Sequence, residues 1–309
     1  MRSPVSVSLG SLMQYIFLAG VGVFLAGAPL LSVVMPNSSI AFQRSETSPA
    51  TTEKLESLAY PDASLECADH RAKGVYILSR EPLVVYIEGF VGEEEAQEIV
   101  KLSEPHFTPA TVWTAGHETL NPLIRHSEKA PLPRSHLVQC IEERARRFQG
   151  WRPHTFIEKL WSQRYGVGGH YTYHYDWSSA TRSSGRVSSF MVYLEANCTG
   201  GGTHFPRLGK PVGKEWCSFI ECDGLQSEEE TMEKGTMESE GYARVKDGIV
   251  FKAITGNAIY WENMRADGTG YLESWHAGLP VRSGVKIGLN IWSFYQDGHV
   301  PEADRANPE

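Results

Sequence analysis

Cysteine is scarce in this sequence and poorly spaced for a metal. There are five cysteines, and no pair is arranged as Cys-x-x-Cys, which argues against a zinc ribbon. An excess of positive charge is absent too. Lys and Arg total 29 against 37 Asp and Glu, a formal net charge of −8, and that balance argues against nucleic acid as a partner. No internal repeat is evident. What remains is an ordinary globular balance, 41% hydrophobic and 21% charged, over 309 residues. That length allows one large domain or two, with ample material for a core. The acidity is uneven. Residues 223–247 hold eight Asp or Glu and three Lys or Arg, so they alone supply −5 of the −8. Such a run reads as a solvated surface loop.

The N-terminus lies outside the fold. Residues 12–35 are apolar, interrupted in polarity only by Gln14 and Ser32. At about 1.5 Å per residue this run spans the hydrocarbon core of a bilayer. A secretory signal has a shorter apolar region, about 7–15 residues, so residues 1–36 read as an uncleaved signal anchor, with Ala26-Gly-Ala28 leaving cleavage open. Anchored this way, the folded part faces the lumen of the endoplasmic reticulum or a later secretory compartment. Residues 37–66 are rich in Ser, Thr, Pro and Glu and read as a flexible stem. Asn37-Ser-Ser and Asn197-Cys-Thr are N-glycosylation acceptor patterns. In an oxidising lumen one or two disulfides form and at least one thiol is left over. Cys217 and Cys222 are equally suited to pair or to stay as two buried thiols.

A single domain then runs over residues 67–300. Residues 82–91 read as a strand entering a turn. Residues 93–103 carry Ala96, Ile99, Val100 and Leu102 at helical spacing, with acids in the first turn. A second helix covers residues 135–149, with Leu137, Val138, Ile141, Ala145 and Phe148 on one face. Arg144, Arg146 and Arg147 sit near its C-terminal end, where the helix dipole favours cations. After Trp151 the texture changes to short apolar or alternating runs between Gly-rich turns, at residues 155–165, 170–175, 187–195, 203–205, 249–253, 258–261 and 285–295. Many short strands with turn signals indicate a sandwich or barrel. The fold class is mainly β with supporting helices, and residues 210–247 are an acidic insertion in it.

One stretch carries chemistry. Tyr165-Gly-Val-Gly-Gly-His-Tyr-Thr-Tyr-His-Tyr-Asp176 ends in His174-x-Asp176, the only His-x-Asp in the sequence. In an extended strand positions i and i+2 face the same side, so an imidazole and a carboxylate converge. That is two thirds of a 2-His-1-carboxylate triad, which suits Fe(II) and leaves coordination positions open. Alone, the pair is as well explained by a surface histidine beside an acid. Two later histidines compete for the third place. His276 stands ten residues before Lys286, and His204 stands ten residues before Lys214 and next to Gly200-Gly-Gly. A lysine returning to the pocket would hold a ligand carboxylate as a point charge. Spacing does not choose between them.

The order of motifs resembles the catalytic domain of the prolyl 4-hydroxylase family of Fe(II)/2-oxoglutarate dioxygenases. The residue 165–176 stretch is similar to that family's metal-binding strand. Gly185-Arg-Val-Ser-Ser-Phe-Met-Val-Tyr-Leu194, Gly200-Gly-Gly-Thr-His-Phe-Pro206, Gly256-Asn-Ala-Ile-Tyr-Trp-Glu-Asn-Met-Arg265 and Trp275-His-Ala-Gly-Leu-Pro280 with Lys286 follow in the same order. Residues 83–105 look like the family's entry segment. The resemblance implies a double-stranded β-helix, or jelly roll. It assigns His174, Asp176 and His276 to iron and Lys286 to the distal carboxylate of 2-oxoglutarate. It places Tyr165 and Thr203 in the cosubstrate pocket, and Tyr171, Arg186 and Trp292 facing the substrate. Tyr171 and Trp292 could equally be ordinary sheet aromatics. Dioxygen and ascorbate are the further small molecules implied. The implied reaction is hydroxylation of an unactivated C–H bond, of a prolyl residue in a peptide, with release of succinate and carbon dioxide.

Two departures bear on substrate. Family members acting on peptidyl proline carry a basic residue five positions, and a histidine eight positions, after the anchoring lysine. Here those positions hold Ile291 and Phe294. The second departure is the 210–247 insertion, whose position suits a lid. A small molecule or a specialised peptide is therefore the alternative substrate. A non-catalytic jelly-roll binding module is the reading from a different class.

Overall fold

A computed structural model describes residues 52–114, 117–177, 180, 183–222 and 248–299. The apolar run at residues 12–35, the first half of the expected stem and the acidic part of the insertion lie outside the described residues. Among the described residues no helix is long and apolar enough to cross a membrane.

Eight strands build the scaffold: β1 Trp161–Tyr165, β2 His170–His174, β3 Ser184–Gly200, β4 Thr203–Phe205, β5 Ile249–Phe251, β6 Ala258–Glu262, β7 His276–Gly278 and β8 Val281–Gln296. They form two antiparallel sheets. The larger has the order β6-β3-β8-β1, and the smaller β5-β4-β7-β2. This is a jelly roll. Strands Gly74–Arg80 and Leu83–Glu88 extend the larger sheet beyond β6, and Glu128–Pro131 extends it beyond β1.

One core lies between the larger sheet and two helices, α1 Glu93–Ser103 and α2 His136–Phe148. Ile99 of α1 and Val138, Ile141 and Ala145 of α2 pack there with Phe190, Val192, Leu289 and Ile291 of the sheet. Each helix start is capped as its sequence directs. The Gly92 N–H donates to Glu95 Oε2 at 2.8 Å, and the Ser135 hydroxyl accepts from the Val138 N–H. The arginines of α2 do more than complement a dipole. Arg144 donates to both carboxylate oxygens of Glu95 at 2.8 and 2.7 Å, tying the helices together. Glu142 and Arg146 are buried on the face expected to be apolar, and Arg134 pairs Glu142 at 3.0 Å. A second core fills the space inside the roll, around Tyr193, Phe205, Phe251, Ile259 and Trp261.

One expectation changes. The stem was expected to end at residue 66, yet Leu58–Ala59 pairs with strand Thr155–Glu158. Leu58, with Leu55 and Tyr60, packs on Phe156 and Phe294, so these apolar side chains pull the end of the expected stem into the fold. The insertion begins as structured chain. Phe219 stacks on Tyr86 at 4.3 Å and Ile220 bridges to Phe251. Cys217 and Cys222 are joined, as are Cys67 and Cys140, and Cys198 is the free thiol.

Candidate active site

In the smaller sheet β2 and β7 are neighbours, and His174 stands directly opposite His276, their ring centroids 4.3 Å apart. Each imidazole has its Nδ1 2.8 Å from a backbone carbonyl, of Thr172 and of Ser274. A carbonyl only accepts, so Nδ1 carries the proton and the Nε2 lone pair is left for a metal. Ligand atoms of His174, Asp176 and His276 all lie within 4.8 Å of one another. The route Asp176 takes differs from simple strand alternation. β2 ends at His174, and Asp176 opens the following turn. Its carboxylate is aimed by the other sheet. Oδ2 accepts from the Ser189 hydroxyl at 2.7 Å and from the Trp292 indole N–H at 3.1 Å. Oδ1 stays 3.6 Å from His174 Nε2. His204 is elsewhere. It is buried, with Nδ1 2.6 Å from the Tyr173 hydroxyl, and it is not among the clustered ligands.

The electrostatics suit a cation. Burial pushes the Asp176 carboxyl up, but the neighbouring His174 and His276 side chains and the Arg186 guanidinium outweigh it and hold the group below the usual carboxylate range. Burial, with His174 alongside, lowers His276 to about 4, so its imidazole is neutral near pH 7. A buried carboxylate and two imidazoles on one side form an N/O donor set that fits Fe(II).

Beside the triad is a pocket lined in part by Gln163, Tyr165, Tyr171, Thr203, Gly278, Lys286 and Asn290. Lys286 is 0% exposed. It is the cross-strand partner of Tyr165, with Nζ 4.4 Å from the centre of that ring. Nζ donates to the Gly201 carbonyl at 2.7 Å. Gly200 and Gly201 both take left-handed backbone angles, φ 69° and 68°, at this turn, which explains the glycines there. Among the described residues no carboxylate pairs Lys286, and burial lowers it to about 8. A buried ammonium that lines this pocket and is paired with no carboxylate among the described residues is complementary to a ligand carboxylate. The Thr203 hydroxyl meets that of Tyr193 at 2.8 Å, and the Tyr165 hydroxyl donates to Gln163 Oε1 at 2.9 Å.

The outer residues are held in place. Tyr171 stacks on His174 at 3.8 Å, with the Arg125 guanidinium 4.7 Å from the Tyr171 ring centre. Arg186 lies 3.7 Å over the Trp292 ring and donates twice to Glu158, at 2.7 and 3.0 Å. Lys54 reaches the same carboxylate at 2.7 Å. Arg186 is thus tied into an ion cluster, and Trp292 holds a carboxylate. Sequence reasoning missed Ser189, Asn263, Gln163, Arg125 and Glu158. Ser189 and Gln163 left a trace, as polar residues inside strands that are otherwise buried.

Residues 160–294 match the family model described as 2OG-Fe(II) oxygenase superfamily. Prolyl 4-hydroxylase subunit alpha-3 of Homo sapiens is 27% identical over 75% of this chain and 39% of its own length. The Mus musculus protein of that name is 24% identical over 81% of this chain and 42% of its own. The chain thus spans about two fifths of those relatives. Prolyl 4-hydroxylase 5 of Arabidopsis thaliana is 28% identical over 74% of this chain and 72% of its own. Among solved structures, a viral collagen prolyl hydroxylase from Paramecium Bursaria Chlorella virus-1 is 22% identical, covering 69% of this chain and 96% of its own, with a TM-score of 0.47.

Proposed function

We propose that this chain, whose residues 160–294 match the family model described as 2OG-Fe(II) oxygenase superfamily, is a prolyl 4-hydroxylase-like dioxygenase that hydroxylates a prolyl residue in a peptide. One observation carries the reading. Two imidazoles and a buried carboxylate converge beside a buried lysine that has no carboxylate partner among the described residues.

His174, Asp176 and His276 hold Fe(II). Lys286 binds the distal carboxylate of 2-oxoglutarate, with Tyr165 and Thr203 beside it. When bound, the iron, 2-oxoglutarate and dioxygen supply the oxidising chemistry, in which one oxygen atom enters the substrate C–H bond and the other enters succinate as carbon dioxide leaves. The chain's own part is geometry. The carbonyls of Thr172 and Ser274 fix both imidazoles by accepting from Nδ1. Tyr171 stacks on His174 and Trp292 donates to Asp176, so both would border the metal, and Glu158 keeps Arg186 over Trp292. Ascorbate would be the reductant that keeps such an iron in the ferrous state. The two disulfides support an oxidising compartment, and residues 12–35 attach the chain to a membrane of the secretory pathway with the domain in the lumen. No nucleic acid takes part.

One observation favours the second reading, a small molecule or specialised peptide. Ile291 is buried toward the helices and does not face the pocket, whereas Phe294 is covered by Leu58 and Phe156, with Lys54 Nζ 4.4 Å from its ring centre. The chain's own residues 54–60 thus close the side where a peptide-contacting histidine was expected.

The test is an anaerobic titration with Fe(II) and 2-oxoglutarate, following the visible charge-transfer band of the chelate. The band is expected in the wild type and in His204→Ala, and lost in His276→Ala. A folded wild-type protein without the band would point to a binding module and remove the catalytic claim. Proline peptides, free amino acids and small metabolites then separate the two substrate readings by succinate release.

A further inference from the structure

The support of Asp176 carries one step more. Its Oδ2 takes two hydrogen bonds, from Ser189 Oγ at 2.7 Å and Trp292 Nε1 at 3.1 Å, while Oδ1 faces the imidazoles. Ser189 has a single hydroxyl proton and is 0% exposed. A carboxylate oxygen only accepts, so that proton is committed to Asp176. The second contact of the Ser189 oxygen, with Asn263 Nδ2 at 2.8 Å, is then one in which the amide donates. Asn263 is also 0% exposed, and its Oδ1 has no partner among the described residues. The orientations are mutually forced: Asn263 donates to Ser189, Ser189 donates to Asp176, and Trp292 donates to the same oxygen. All three residues belong to the larger sheet or its margin. Ser189 of β3 is the cross-strand partner of both Trp292 of β8 and Trp261 of β6, and Asn263 directly follows β6. The imidazoles come from the smaller sheet.

We propose that Ser189, Asn263 and Trp292 are positioning residues that hold Asp176 to one-oxygen coordination, so that the carboxylate occupies one metal position and leaves the adjoining one for the cosubstrate. This rests on the metal-centre reading above. With both lone pairs of Oδ2 engaged, a two-oxygen grip on the metal would break at least one of these hydrogen bonds. Without the Ser189 proton the carboxylate is free to turn, and the metal loses affinity and changes coordination.

The experiment measures Mn(II) affinity by calorimetry and the visible spectrum of the Co(II) form, on the full chain, for wild type, Ser189→Ala, Ser189→Thr and Trp292→Phe. Loss of a supporting hydrogen bond of this kind costs about 10- to 100-fold in metal affinity. Ser189→Ala is expected to fall in that range with an altered Co(II) spectrum, and Ser189→Thr, which keeps the hydroxyl, to restore both. Trp292→Phe keeps a ring and removes only the N–H. It is expected to weaken Mn(II) binding in the same direction, and it serves if Ser189→Ala does not fold. Affinity within twofold of wild type and an unchanged Co(II) spectrum in both Ser189→Ala and Trp292→Phe would overturn the proposal. So would a Thr variant as weak as the Ala variant. A wild-type protein that binds neither metal overturns the reading underneath instead.

Discussion

Replacing Lys286 by Met separates the use of this residue from its burden. The ammonium is 0% exposed and lowered from 10.5 to about 8 by burial. At about 1.4 kcal/mol per pH unit, holding its charge costs the ligand-free protein roughly 3 kcal/mol near neutral pH. Met has similar length and no charge, but it leaves the Gly201 carbonyl without its donor, a loss of about 1–3 kcal/mol. The two nearly offset at pH 7, so the variant should equal or slightly exceed wild type in stability. The pH dependence is sharper. A lysine depressed in the folded state is a full burden below its folded value, and the burden lifts as pH rises from about 8 toward 10.5, because the folded form sheds its proton before the unfolded one. From pH 7.5 to 9.5 wild type should therefore gain about 2 kcal/mol on Lys286→Met. Urea unfolding of both proteins at both pH values measures this. The stabilisation that 2-oxoglutarate gives in the presence of Mn(II) should vanish in the variant. In wild type, affinity should fall about tenfold per pH unit above 8. A stability difference independent of pH, or unchanged 2-oxoglutarate binding in the variant, would refute the assignment of Lys286 as a buried cation awaiting a carboxylate.

Two further outcomes follow from the same physics. Glu158→Ala leaves Arg186 and Lys54 without their shared carboxylate, and removing one partner of a buried ion cluster should cost about 3–5 kcal/mol in chemical unfolding. A loss below about 1 kcal/mol would mean that the cluster is solvated. Cys67 and Cys140 close a loop with a sequence separation of 73, so changing both to Ser should destabilise by about 4 kcal/mol, while the same change at Cys217 and Cys222, separated by 5, should cost clearly less. Equal losses would show that unfolded-state entropy is not the main contribution.

The fold class was legible because it rests on periodicities that survive burial. Short alternating runs after Trp151 gave most of the strands, and the apolar spacing at 93–103 and 135–149 gave both helices within a residue at each end. The 2-His-1-carboxylate set was legible only with ordered motifs around it. His276 and His204 are alike as residues, each with a lysine ten positions on. They differ in which sheet face they occupy: His276 faces inward, stacked against Phe205, while His204 pairs with Tyr173 and lies outside the ligand cluster. A one-residue change in strand register exchanges those faces, and no local signal fixes the register of a three-residue strand.

What stayed hidden is whatever depends on two distant segments meeting. A serine in a strand reads as a weak interruption, and nothing in Val187-Ser-Ser-Phe190 says that the second serine meets a carboxylate 13 residues earlier while the first meets Gln149. Trp292 reads as a sheet aromatic until its indole N–H is seen on Asp176. The alternation argument for His174-x-Asp176 reached the right pair by an incomplete route, because the strand stops at His174. Beyond that point backbone geometry no longer dictates where the carboxylate points, and the hydrogen bonds from β3 and β8 take over. The minor sheet therefore supplies the imidazoles and the major sheet supplies the orientation of the acid. The separation and tilt of the two sheets, set by the aromatic core around Phe205, Tyr193 and Trp261, become variables of the metal site itself. Substitutions in that core that change its volume should register first in metal affinity, because about 1 Å of sheet displacement is enough to break a 2.7 Å hydrogen bond to Asp176 long before it unfolds the roll.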